Sequence, residues 1–340
     1  MKIKFGVLFL LSFLINCNSK KETISNTIDL LIDKKSATPF NGVILINEDG
    51  KDIYSKSFGY SNFEDKKEFN SESQFVIGSI SKQFTAVLVL QELDKGNLEL
   101  DVPIKKYLPE LNQEWANKVT VRHLLTHMHG IITLNEVTKF EPGTQYEYSQ
   151  IGFDLLAKIV EKTSKKSFAT ISFDLFQKCK MFDTFHPDLK KHKNLVFGYT
   201  SNDNAKLEIE NKTFENYVAA GGFISSANDL LQWNKLLYNG KLLSEETFKL
   251  LITKQNGAVR NHPLFGKTDY GLGITIDTKD EIIQYGQTGF APGFISVNFY
   301  YPKTKTSFIV LQNVVENSND LNKSFNYITK IHALLRKEIK

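Results

Sequence analysis

Residues 270–313 read YGLGITIDTKDEIIQYGQTGFAPGFISVNFYYPKTKTSFIVLQN. Four β-prone runs lie within this stretch: YGLGITID (270–277), EIIQYG (281–286), FISVNFYYP (294–302) and TSFIVLQN (306–313). Short polar turns separate them, which is the pattern of successive strands in an antiparallel sheet. Leu321, Phe325, Ile328, Ile331 and Leu335 follow at spacings of four, three, three and four, giving a closing helix with one buried stripe. At the other end, GVILINEDGKDIYSKSFGY (42–60) reads as a hairpin turning at Asn47-Glu48-Asp49-Gly50. Before it, TISNTIDLLIDK (23–34) reads as an amphipathic helix with Ile24, Ile28, Leu31 and Ile32 on one side.

Strands near both termini with helices between them predict an α+β fold. One sheet is built from both ends of the chain, carries helices on both faces, and receives a mostly helical insertion. The expected division is a sheet subdomain of 39–84 and 268–338, with a helical subdomain of 85–267, inside one domain of 39–338. Within the middle, a short strand at Phe75–Ile77 runs into a helix that starts near Ser79 and stops at Gly96. Gly152–Thr163 and Ser226–Leu237 are the clearest amphipathic pieces of the insertion.

The chain has 340 residues, of which 41% are hydrophobic and 24% charged, enough for one sizeable core and incompatible with a disordered or fibrous chain. Two cysteines exclude a disulfide scaffold and a four-cysteine metal or iron–sulfur site. The net charge of +4 falls to +2 without Lys2 and Lys4, too small to indicate nucleic acid. The opening MKIKFGVLFLLSFLINC has a basic start and a short apolar run, so residues 1–16 are expected to be an export signal. Leu14-Ile15-Asn16-Cys17 resembles a bacterial lipobox, with Asn16 in place of the usual small residue. Cys17 would then be lipidated, 17–38 would be a linker plus the first helix, and the protein would be exported and tethered to a cell-envelope membrane. Cys179 is left as a core thiol.

Ser79-Ile80-Ser81-Lys82 opens the first core helix. Residues three apart share a helical face, so the Ser79 hydroxyl and the Lys82 amine can meet, and a desolvated lysine can act as a base. Ser81 has no lysine three residues on. Tyr148-Ser149-Gln150 precedes a helix, and beside a lysine its tyrosine could work as a phenolate base. Gln287-Thr288-Gly289 ends one strand, where a glycine allows close backbone approach and a threonine hydroxyl can hold a carboxylate or carbonyl. Each feature alone also has a structural reading: a helix cap, a core aromatic, a tight turn. His123, His127 and His129 lack the glutamate pattern of a zinc protease, and no metal is expected there.

Taken together these segments resemble the serine beta-lactamase-like superfamily, in the branch of class C beta-lactamases, DD-peptidases, D-aminopeptidases and related esterases. FVIGSISKQFTAVLVLQELDKGNLELD (75–101), VRHLLTHMHGI (121–131), FEPGTQYEYSQIGFDLLAKIVE (140–161), GGFISSANDLLQWNKLL (221–237) and YGQTGFAPGFIS (285–296) follow in family order. The resemblance implies the beta-lactamase/transpeptidase-like fold and no cofactor. It implies Ser79 as the acylated nucleophile, Lys82 and Tyr148 as proton relay, and the backbone N–H groups of Ser79 and Phe290 as oxyanion hole. Gln150, Gln287, Thr288 and Gly289 would hold the substrate, a small ester, amide or D-amino-acid cell-wall peptide. Two positions depart from the family: Gln150 stands for asparagine, and Gln287 for lysine or histidine. The loss of a cation at 287 weakens attraction for a substrate carboxylate and favours an esterase or peptidase over an efficient beta-lactamase. The alternative is a catalytically degenerate relative that binds peptidoglycan fragments or a protein. A monomer is expected.

Overall fold

A computed structural model describes residues 22–32, 39–189, 193–201, 206–210, 215–317 and 320–340. Residues 1–16 and Cys17 lie outside these, as do 33–38. Helix α1 spans 22–32 and buries Ile24, Ile28 and Ile32, the four-residue spacing that keeps one face turned inward. It is followed by β1 (Gly42–Glu48) and β2 (Lys51–Phe58). Six further strands complete the main sheet: β3 (Val259–His262), β4 (Gly266–Tyr270), β5 (Thr275–Asp277), β6 (Gln284–Ala291), β7 (Phe294–Tyr301) and β8 (Thr306–Gln312). Their order is β2-β1-β8-β7-β6-β5-β4-β3, antiparallel throughout. The N-terminal hairpin therefore docks on β8, the last strand of the main sheet in chain order, closing one sheet from both termini as the sequence predicts.

Strand parity divides the sheet into two faces. Ile44 and Ile46 of β1, Ile295, Val297 and Phe299 of β7, and Phe308 and Val310 of β8 pack in one cluster with Ile24, Ile28, Ile328, Ile331 and Leu335. Leu45, Ile309 and Leu311 point the other way, into the cluster shared with the helical region. The sheet is thus a middle layer, buried on both sides, and its central strands read as near-continuous apolar runs. The terminal helix that covers the first face, Asn326–Ile339, carries Ile328, Ile331 and Leu335 of the predicted stripe, while Leu321 lies in a separate short helix, Leu321–Ser324, and Phe325 caps the junction. Fully burying one such isoleucine is worth about 1.5–3 kcal/mol, so a charge at Ile328 would detach that helix.

In the helical layer, α2 (Ser81–Asp94) is buried from Ser81 to Leu90 on every side, the mark of a central core helix. It packs against α3 (Ile151–Ser164) and a π-helical segment, Val218–Gly222. One difference from the sequence reading bears on the site. The chain rejoins the sheet at Val259, through the hairpin β3–β4, before the expected start of the strand region. VRNH and GKTDY show little apolar alternation because this hairpin forms the rim of the sheet, where one edge needs no partner strand.

Candidate active site

The short strand Phe75–Val76 pairs with Ile224–Ser225, and the Ile77 amide donates to the Phe223 carbonyl at 3.0 Å. The chain then turns sharply through a 3-10 turn, Gly78–Ile80, before α2 begins at Ser81. Gly78 has φ +54, and a Cβ there would lie 2.5 Å from the Phe290 nitrogen on β6. A Cβ on Gly289 would lie 2.0 Å from the Ile77 carbonyl oxygen. Only glycine satisfies both contacts, so the Ser79 turn and β6 meet backbone to backbone. The Ser296 hydroxyl fastens the junction by donating to the Ile77 carbonyl at 2.7 Å. This places the Phe290 nitrogen alongside the turn that carries Ser79. Between Ser73 and Leu90, Ser79 alone is not buried.

Lys82 is wholly buried one turn further on. Its Nζ lies 3.2 Å from Ser79 Oγ and donates to the Ala220 carbonyl at 2.7 Å. The π-helical segment exposes that carbonyl to α2, and Thr85 holds the segment in place by donating to the Ala219 carbonyl at 2.7 Å. Ser81 is occupied structurally, accepting from the Phe223 amide at 3.2 Å. Burial lowers the Lys82 pKa; nearby Tyr148 and Asp154 oppose the shift and Arg260 adds to it. The amine is therefore easier to deprotonate than an ordinary lysine, as a base for Ser79 must be.

Tyr148 closes the group from the loop before α3. Lys82 Nζ is 4.8 Å from the centre of its ring and the Arg260 guanidinium carbon is 4.4 Å from it. Burial acts to raise the phenol pKa, but the charges of Lys82 and Arg260, with Ser79 close by, bring it below its ordinary value. The hydroxyl is buried, yet neither Ser79 nor Lys82 reaches it with hydrogen-bond geometry.

His127, at φ +59, supports the tyrosine from behind, its ring 4.5 Å from that of Tyr148. Its Nδ1 accepts from the Ser149 amide at 3.2 Å and its Nε2 meets the Tyr270 hydroxyl at 3.2 Å. Burial first, then the charge of Lys82, hold His127 well below the ordinary histidine pKa, so it is neutral. His123 caps a short helix with Thr120, and His129 packs against Gly152. Among the described residues no cluster of His, Cys, Asp or Glu is placed to hold a metal. Cys179 is buried, which pushes its thiol pKa up to about 11.

The third motif divides by strand parity. Gln287 and Gly289 pair with Asn298 and Ser296, on the Ser79 face of the sheet. Gln287 is fully buried and its amide nitrogen donates to the Tyr270 hydroxyl at 3.4 Å. Thr288 pairs with Val297 on the opposite face, and its hydroxyl meets His262 Nε2 at 2.9 Å. The Thr288 hydroxyl is thus engaged behind the sheet, on the side away from Ser79. β5 pairs only with Gln284, Tyr285 and Gly286, so from Gln287 to Ala291 β6 has a partner strand on one edge only. Gln150 stands exposed at the N-cap of α3, without a capping bond from its side chain. Motif reasoning missed Arg260 entirely, since the rim strand that carries it has no recognisable signature.

Comparison with known proteins accords with this fold. Residues 31–331 match the Beta-lactamase family, and the chain belongs to it. It is similar to the putative penicillin-binding protein PbpX of Bacillus subtilis, 24% identical over 318 residues that cover 88% of this chain and 76% of that one. Penicillin-binding protein 4* of the same organism is 25% identical over 346 residues, covering 88% and 73%. Among solved structures, a penicillin binding protein from Bacillus halodurans superposes with TM-score 0.76 at 22% identity, covering 92% of this chain and 98% of that one. A D-amino acid amidase from Ochrobactrum anthropi superposes with TM-score 0.77 at 17% identity, covering 96% and 100%. The protein is thus a beta-lactamase-like member of the serine hydrolase family, with the beta-lactamase/transpeptidase-like fold.

Proposed function

We propose that this chain is an active serine hydrolase working through an acyl-enzyme on a small ester, amide or D-amino-acid peptide. The observation that carries the reading is the approach of the fully buried Lys82 Nζ to 3.2 Å from the one partly exposed residue of its segment, Ser79. Ser79 Oγ attacks the substrate carbonyl carbon while its proton passes to Lys82 or Tyr148. The carbonyl oxygen takes the negative charge, facing the Ser79 and Phe290 amides. The bond to the leaving group then breaks, and the leaving group takes the relayed proton. Water attacks the ester on Ser79, gives a proton to the same relay, and releases the acid with the serine restored. Export and lipidation at Cys17, tethering the hydrolase to a cell-envelope membrane, belong to the same proposal.

A binding protein without turnover is the second reading. It is favoured by Gln287, whose neutral amide is turned into the fold toward Tyr270. Intact-protein mass spectrometry after a fluorophosphonate probe separates the two. A single adduct on the wild type and none on folded Ser79→Ala supports the hydrolase. An unlabelled, folded wild type supports the binder.

A further inference from the structure

Arg260 is the strongest unassigned feature of the molecule. It sits on the rim strand β3 opposite Thr268, with its guanidinium carbon 4.4 Å from the centre of the Tyr148 ring. It is half-buried, and its Nη1 is covered yet has no hydrogen-bond partner. Among the described residues no carboxylate lies within ion-pairing distance of it, whereas Arg122 and Arg336 each have an acidic partner. A covered guanidinium donor without a partner is costly unless something polar completes it. The contact with Tyr148 accounts for one face of the guanidinium but leaves the covered Nη1 donor unmet. This donor stands at the same tyrosine that adjoins Ser79, and the residue that would usually bring a cation to the third motif is Gln287.

Resting on the hydrolase reading above, we propose that Arg260 is the specificity-determining residue of this site: it receives a carboxylate of the substrate, so the protein prefers anionic over neutral acyl donors. The planar fork of arginine suits a carboxylate bidentately, which lysine cannot reproduce. The positive charge reaches the site from the rim hairpin β3–β4, not from β6.

Two matched substrate pairs test this and distinguish where the carboxylate sits. A 4-nitrophenyl hemisuccinate against the butyrate ester places it on the acyl side. A 3-carboxy-4-nitrophenyl ester against the plain 4-nitrophenyl ester places it on the leaving group. The expected result is a higher kcat/KM for the anionic member of one pair. In Arg260→Gln that ratio falls by about ten-fold to a hundred-fold, mainly through KM, the size expected for one charge-assisted contact. Arg260→Lys restores it only in part. Equal loss on anionic and neutral members would overturn the proposal and leave Arg260 as a prop for Tyr148. So would a wild type with no anionic preference in either pair. Fluorophosphonate labelling of each variant reads the serine separately, so failure of the hydrolase reading shows as absent labelling and failure of this one as labelling with an unchanged ratio.

Discussion

The Gln287 amide nitrogen lies 3.4 Å from the Tyr270 hydroxyl, and both side chains are fully buried. The pair continues through His127 to the back of the Tyr148 ring, so a neutral chain of hydrogen bonds occupies ground where this family commonly has a cation. The ionisable groups that act on Tyr270 and His127 are Arg260, Lys82, His129 and Tyr148, none of them a carboxylate. Restoring the family residue with Gln287→Lys therefore introduces a buried ammonium among existing positive charges. It should lower unfolding free energy by about 2–4 kcal/mol, and it should not increase penicillin labelling of Ser79. Urea titration and mass spectrometry check the two halves; a variant as stable as wild type that labels faster would show that the neutral chain is dispensable.

Most of the fold was legible because its signals are local. The apolar runs of β7 and β8, bounded by polar turns, and the stripe on the terminal helix are each read from a short stretch of chain, and Ser79 with Lys82 follows from an i,i+3 spacing. Parity could also have turned Thr288 away: once Gly289 faces the Ile77 turn, its neighbour must face the other side. Tyr148 became a candidate only with the full set of motifs, since one tyrosine before a helix is ordinary. Arg260 had no such route. Its strand carries no apolar alternation, and its stacking on Tyr148 is a tertiary contact between distant segments that no spacing encodes.

Asp154 gives the site a pH dependence of known sign. It lies in the first turn of α3, where burial pushes its carboxyl up to about 6 against the opposing charges of Lys82 and Lys158. The folded state holds this proton more tightly than the unfolded chain. The resulting stability is complete below the ordinary value of 3.8 and is lost as pH rises through about 6. Asp154→Asn should remove that loss, gaining about 1 kcal/mol over wild type at pH 8 and little at pH 4, after allowance for its partial exposure. The same change removes a negative charge that raises the Lys82 pKa, so the limb of kcat/KM that reports deprotonation of Lys82 should move to lower pH. An equal stability change at both pH values, with an unmoved limb, would mean that Asp154 acts only through packing.

Tyr148 should separate stability from catalysis. Its hydroxyl is buried without a completed hydrogen bond, and its ring is held by His127 behind and by Lys82 and Arg260 at its face. A buried hydroxyl in that condition costs free energy in the resting protein, and Tyr148→Phe removes the cost while keeping the ring. The variant should unfold at an equal or higher urea concentration than wild type, by up to about 1 kcal/mol. It also removes the group whose lowered pKa suits it to move the proton between Ser79 and the leaving group. Acylation should then slow by about a hundred-fold to ten-thousand-fold, the usual range for a general acid–base group. The two readouts divide the explanations cleanly. A slower but more stable variant marks the unmet hydroxyl as held for the reaction. A less stable one marks it as part of the packing, and would place the proton relay on Lys82 alone.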